Sequence, residues 1–207
     1  MPPALHLYAT VPRSRALGPR SRYGLWVQGC PFRCSGCMTP GALPFTGGTA
    51  VDLDALTAEV LAVPDIEGLT VSGGEPFAQA SALAALLMRL RARRDLGLIV
   101  YTGFRHGALR RRARTTMGIA ALLAATDLLI DGPYQALRND GAPLRGSANQ
   151  RVITLTDRYR NQLQEYAPGQ PRAVEVHVGI GERLLVGIPS DRQLSWWQVH
   201  KTGAARR

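Results

Sequence analysis

Trp26-Val-Gln-Gly-Cys30-Pro-Phe-Arg-Cys34-Ser-Gly-Cys37 holds every cysteine of the 207-residue chain, spaced C-x3-C-x2-C. A [4Fe–4S] cluster takes four ligands, commonly all cysteine thiolates. Three local thiolates leave one iron without a protein ligand, and an open metal position is where a small molecule binds and reacts. Disulfide pairing leaves one cysteine over, in a chain without secretory signals. A structural zinc site needs a fourth ligand, and the four histidines, His6, His106, His177 and His200, all lie away from the triplet in sequence. The ligand count favours iron and sulfur.

Outward from the triplet, strand and helix patterns alternate. Tyr23 to Gln28 reads as a strand that ends at the cysteines. Asp52 caps a helix with Leu53, Leu56, Val60 and Val63 at helical spacing, and Leu69 to Ser72 is the next strand. Gln79 to Arg94 is a helix with Leu83, Leu86, Leu87 and Leu90 inward. Strand Leu98 to Thr102 follows, then helical pattern in one or two pieces from His106 to Ala125, then strand Asp127 to Asp131. Such alternation implies βαβ units and a parallel sheet. The chain is short for eight units. The expected fold is therefore α/β: a partial (β/α) barrel of about five or six parallel strands, with a small C-terminal β-hairpin extension.

Four polar or glycine-bearing turns follow successive strands: Cys30; Ser72-Gly-Gly-Glu-Pro76; Tyr101-Thr-Gly103; Asp131-Gly-Pro133. In parallel α/β folds ligands bind beyond the carboxyl ends of the strands. These turns should meet at one rim. Past Tyr134 the pattern loosens into a polar loop, Arg145-Gly-Ser-Ala-Asn-Gln150, and a strand from Arg151 to Leu155. Residues 1–156 are expected to form the core domain and 157–207 an extension, with a hairpin at about 172–189 and a disordered tail after it.

The net charge of +10 raises a nucleic-acid reading, but Lys201 is the only lysine among 25 basic residues. That skew fits codon bias better than selection for phosphate contacts, and no nucleic-acid motif accompanies it. The run Arg110-Arg-Arg112-Ala-Arg114 reads as a solvated helix face able to steer an acidic partner. Met117 to Ile130 is too short, and too interrupted by Asp127, to span a bilayer. Met1-Pro-Pro-Ala-Leu-His lacks signal-peptide character. No nucleic acid, no membrane and a cytoplasmic location are expected.

C-x3-C-x2-C after one strand and Gly-Gly-Glu-Pro after the next resemble the radical SAM superfamily. With Tyr101-Thr-Gly103, Asp131-Gly132 and Arg145 to Gln150, the chain is similar to the activating proteins of anaerobic ribonucleotide reductase over about residues 5 to 155. The resemblance implies a radical SAM oxidoreductase, of the kind that activates formate C-acetyltransferase and other glycyl radical enzymes. Its cofactors would be a [4Fe–4S] cluster on Cys30, Cys34 and Cys37 and S-adenosylmethionine (SAM) on the fourth iron. One electron from the cluster would split SAM into methionine and a 5′-deoxyadenosyl radical. Gly73 and Gly74 would admit the methionine end of SAM, and Glu75 would suit its ammonium group. Thr102 would offer a hydroxyl to SAM or simply close its strand end. Asp131 would orient SAM's polar groups, hold a cation or merely turn the chain. The partners would be a larger glycyl radical enzyme and an electron donor such as flavodoxin or ferredoxin.

Some features depart from that pattern. Met38-Thr39 replaces the usual Tyr-Asn after the third cysteine, and about fifty residues follow the Arg145–Gln150 element, Trp196-Trp197 among them. These tryptophans are expected to pack. Two other readings stay open: a radical SAM enzyme acting on a peptide or small metabolite, and a non-catalytic iron–sulfur or zinc module.

Overall fold

The computed structural model describes residues 4–167, 169–178 and 183–200. The expected disordered tail at 201–207 lies outside them, as does the hairpin turn Gly179 to Gly181. The chain runs β1 (Leu5–Ser14), β2 (Arg22–Val27), β3 (Thr49–Val51), α1 (Leu53–Ala62), β4 (Gly68–Gly73), α2 (Ala80–Arg91) and β5 (Gly97–Thr102). It continues through α3 (His106–Arg112), α4 (Met117–Ala125), β6 (Leu128–Asp131), β7 (Arg151–Thr154), β8 (Val174–Val178), β9 (Arg183–Gly187) and α5 (Asp191–His200).

One seven-stranded sheet has the order β3-β1-β2-β4-β5-β6-β7, and β8-β9 form a separate hairpin. The expectation of five or six parallel strands needs correction. Parallel pairing runs only through β2-β4-β5-β6, while β1 and β7 pair antiparallel at either side. Connection length explains this, because a parallel neighbour requires a crossover. Helices supply one between β2 and β6, whereas β1 reaches β2 through a short loop and no α-helix separates β6 from β7.

Strand alternation sorts side chains to two faces. Tyr23, Leu25, Val27, Leu69, Val71, Leu98, Val100 and Leu129 join the cluster formed with α1, α2 and α4. Asp52 caps α1, accepting from the backbone N–H of Asp54 at 3.0 Å and Ala55 at 2.8 Å. Leu83, Leu86 and Leu90 of α2 are fully buried, each contributing roughly 1.5–3 kcal/mol of apolar burial.

The other face is covered by later parts of the chain. Ile99, Leu128 and Ile130 pack with Leu144 and Tyr159, and Val11, Leu17 and Trp26 pack with Val186 of β9. Arg22 lies wholly buried there, with five hydrogen bonds, including Nε to Thr70 Oγ1 at 2.7 Å and Nη1 to Tyr159 Oη at 2.8 Å. A buried guanidinium is tolerated when its donors are met. Among the described residues, no helix is long and apolar enough to cross a membrane.

Candidate functional site

The carboxyl ends of β2, β4, β5 and β6 open on a cavity of about 590 Å³. Cys30, Cys34 and Cys37 border it together with Gly73, Gly74, Glu75, Thr102, Gly103 and Gly132. All four turns singled out by their residue types therefore meet at one rim.

The cysteine loop is held by its backbone. Gly29 N donates to Ala42 O at 2.8 Å, Cys30 N to Leu43 O at 2.9 Å and Cys37 N to Cys34 O at 3.2 Å. The buried Gln28 side chain adds a bond to Pro44 O at 2.7 Å. These bonds anchor both ends of a loop that presents three sulfurs without regular secondary structure.

Gly73 and Gly74 also join two strand ends. A side chain at Gly74 would put its Cβ 2.3 Å from Gly29 O, and one at Gly73 would meet the Val27 backbone at 2.8 Å. Gly73 also has φ +91°, a conformation that disfavours a side chain. With no Cβ in the way, Gly74 N reaches Val27 O at 2.7 Å and Glu75 N reaches Gly29 O at 2.8 Å. The Gly-Gly turn is thus welded to the residue preceding Cys30.

Glu75 is fully buried. Its carboxylate accepts from Phe77 N at 2.9 Å, Thr102 Oγ1 at 2.8 Å and Gly103 N at 2.9 Å. Burial pushes its pKa up to about 7 although these three donors pull it down. The Thr102 hydroxyl is likewise engaged, since it also accepts from Phe104 N at 3.1 Å. Glu75 and Thr102 therefore brace the β4 turn against the end of β5.

Asp131 does not line the cavity. Its buried carboxylate pairs with Arg151, lies 3.6 Å from Arg105 Nη1 and accepts from His106 N at 2.7 Å, at the start of α3. Burial opposes its charge, but Arg151 and the His106 N–H hold the pKa below the ordinary carboxylate range. The Arg145–Gln150 loop also gains a physical role. Gln150 accepts from Gly146 N at 2.8 Å and donates to Gly132 O at 2.9 Å, and Asn149 Nδ2 donates to Pro133 O at 2.7 Å. The loop fixes the turn after β6, with Gly132, Gly146 and Gln150 forming cavity wall.

The sulfurs sit in a setting suited to a cationic centre. Burial raises the Cys30 thiol to about 11, with Glu75 and the other two cysteines adding to the rise; burial also raises Cys37. Three neighbouring thiolates repel one another until a metal centre neutralises them. Among the described residues no three His, Cys, Asp or Glu side chains converge on a point where one metal ion would sit. Ligands of a cubane each take a different iron and stand farther apart. The donor chemistry and the adjoining cavity fit a cluster with a small molecule beside it.

The sequence pattern of the family described as "4Fe-4S single cluster domain" matches residues 16–153. The chain belongs to that family. An anaerobic ribonucleoside-triphosphate reductase-activating protein of Vibrio cholerae is 29% identical over 147 residues, 67% of this chain and 91% of that protein. The protein of the same name from Enterobacteria phage T4 is 28% identical over 147 residues, 68% of this chain and 88% of that protein. A pyruvate formate-lyase-activating enzyme of Staphylococcus epidermidis is 36% identical over 93 residues, covering 42% of this chain but only 37% of that enzyme. The resemblance to radical SAM activases thus holds, and the cofactors are a [4Fe–4S] cluster and S-adenosylmethionine.

Several cavity residues carry no legible signal in the sequence. Tyr134 lines it from the core, while Leu184, Leu185, Leu194 and Trp197 reach it from the C-terminal segment. Trp197 is half-buried there, whereas Trp196 is 55% exposed, so the two tryptophans do not both pack as expected. Only the long separation of the hairpin from the core in sequence hid this, for no local pattern reports a distant contact.

Proposed function

We propose that the chain is an activase that generates a radical on a larger glycyl radical enzyme. Cys30, Cys34 and Cys37 are its cluster ligands, leaving one iron for SAM. When bound and reduced, the cluster supplies the electron that splits SAM into methionine and a 5′-deoxyadenosyl radical. The observation that carries this reading is the three half-buried thiols bordering one cavity with the Gly73–Glu75 turn, which is hydrogen-bonded to Gly29.

The protein's own residues hold and shield. Thiol protons leave as iron binds, since the thiolate is the ligand. Gly73 and Gly74 present backbone to the methionine end of SAM, and Glu75 and Thr102 keep that backbone in place through their mutual hydrogen bond. Asp131 acts at one remove, by fixing α3 and β7 behind the rim. Trp26, Leu43 and Leu184 line the cavity with apolar surface that keeps water from the reacting centre. The exposed arginines of α3 suit an acidic electron donor such as flavodoxin or ferredoxin.

The test is anaerobic reconstitution with iron, sulfide, SAM and reductant, followed by product analysis and EPR with the candidate partner. Methionine and 5′-deoxyadenosine in equal amounts, with a glycyl radical on the partner, are expected. Cys30→Ser should lose the cluster absorbance and both products. SAM cleavage without any glycyl radical would move the target to a peptide or metabolite; no cleavage at all would remove the enzyme reading.

A further inference from the structure

The family match ends at residue 153, yet Leu184, Leu185, Ile188, Leu194 and Trp197 line the same cavity as the three cysteines. We propose that this C-terminal wall determines which groups reach the sulfur face. It admits a narrow, apolar guest such as one extended peptide segment, and Trp197 sets the limit on size. The peptide guest rests on the activase reading above; the wall does not.

Half of the wall is fixed to the core. Val186 is fully buried against Val11, Leu17 and Trp26. Arg15 N donates to Glu175 Oε1 at 2.8 Å, and a Cβ at Gly187 would stand 3.2 Å from Ala16 Cβ. Leu184 and Leu185 are therefore held at a set position beside the cavity.

The other half is lightly held. α5 follows Ser190, whose backbone N–H donates to Gln193 Oε1 at 2.8 Å, and Arg183 Nη1 donates to His200 O at 2.9 Å. Of the α5 side chains from Arg192 onward, Trp197 alone is not exposed. It and Leu194 sit three residues apart, on one helix face, and both border the cavity. Trp196 turns outward and stacks on His200 with ring centroids 4.5 Å apart. A large rigid ring on a lightly anchored helix is suited to gauging what passes. The chemistry of the lining selects as well. Among the described residues the cavity's charged lining is Glu75, whose oxygens already have three donors, and Arg183, whose Nη1 donates to His200 O.

Thiol labelling of the metal-free full-length protein tests the wall without iron, SAM or partner. Iodoacetamide and a bulky maleimide are compared by mass analysis of Cys30, Cys34 and Cys37. The wild type should label much more slowly with the bulky reagent. Trp197→Ala should accelerate bulky labelling several-fold and leave iodoacetamide nearly unchanged, Trp197→Phe should fall between, and the outward Trp196→Ala should match the wild type. Equal size discrimination in Trp197→Ala and wild type, with unchanged circular dichroism, would overturn the proposal. Should Trp197→Ala unfold, Leu194→Ala must show the same selective acceleration or the proposal falls. A wall that opens in a protein unable to cleave SAM would refute the activase reading and leave the wall standing.

Discussion

The rim at the ends of β2, β4 and β5 and the C-terminal wall face each other across one cavity, and they are built differently. Each turn of the rim is tied to the next by short backbone hydrogen bonds and by one buried carboxylate, Glu75, that serves three donors. The wall is secured at Val186, Glu175 and the Arg172 side chain, and beyond Ser190 it presents mostly exposed residues. Groups that hold a reactive centre need fixed geometry. A surface that meets a partner can be drawn from the less stable end of the molecule.

The hardest blow to the rim should come from Gly74→Ala. Its new Cβ meets the backbone of Gly29, which has no soft atom to yield. A loss of roughly 3 kcal/mol is expected, read by urea denaturation of the metal-free protein. A change below a quarter of that would show that the two turns are not interlocked.

Next comes pH. The Glu75 carboxyl titrates at about 7 in the fold against 4.5 when free, so between these values the folded state holds the extra proton. Its stabilising share is complete below the lower value and is lost as pH rises through the upper one. The expected fall is on the order of 3 kcal/mol, and Glu75→Gln should flatten it. A wild-type profile that rises across that window would contradict the burial argument.

The smallest effect belongs to the wall. Arg172 donates to Ala142 O at 2.8 Å, Asn139 Oδ1 at 2.7 Å and Arg145 O at 2.9 Å. Arg172→Ala should cost about 1–2 kcal/mol locally, seen as faster hydrogen exchange in residues 174–187 with β4 and β5 unchanged. Equal acceleration in both regions would mean that rim and wall form one cooperative unit.

Most of the core was legible because its parallel strands are short, mostly apolar segments ended by glycine or polar turns. The strand expected over Leu98 to Thr102 differs from β5 by one residue. β1 was not legible: Pro12 lies within it, and its pairing with β2 shifts between Leu7 and Ala9 and again between Val11 and Ser14, so its alternation is broken. β3 is three residues long and mostly exposed. α5 offers little apolar pattern, since from Arg192 onward Trp197 is its one side chain that is not exposed. For Thr102, the residue type allowed both a ligand and a strand-end bond, and its bond to Glu75 is visible only in the fold.

The sequence by itself pointed to an iron–sulfur centre and to the helix–strand order from β4 to β6, because cysteine spacing and hydrophobic period are local properties of the chain. Tertiary structure alone decided that Glu75, Thr102 and Asp131 hold neighbouring segments, and that residues 184–197 return to face the cysteines. Hydrogen-bond partners tens of residues apart, and the burial that shifts a carboxyl's pKa, exist only once the chain has folded.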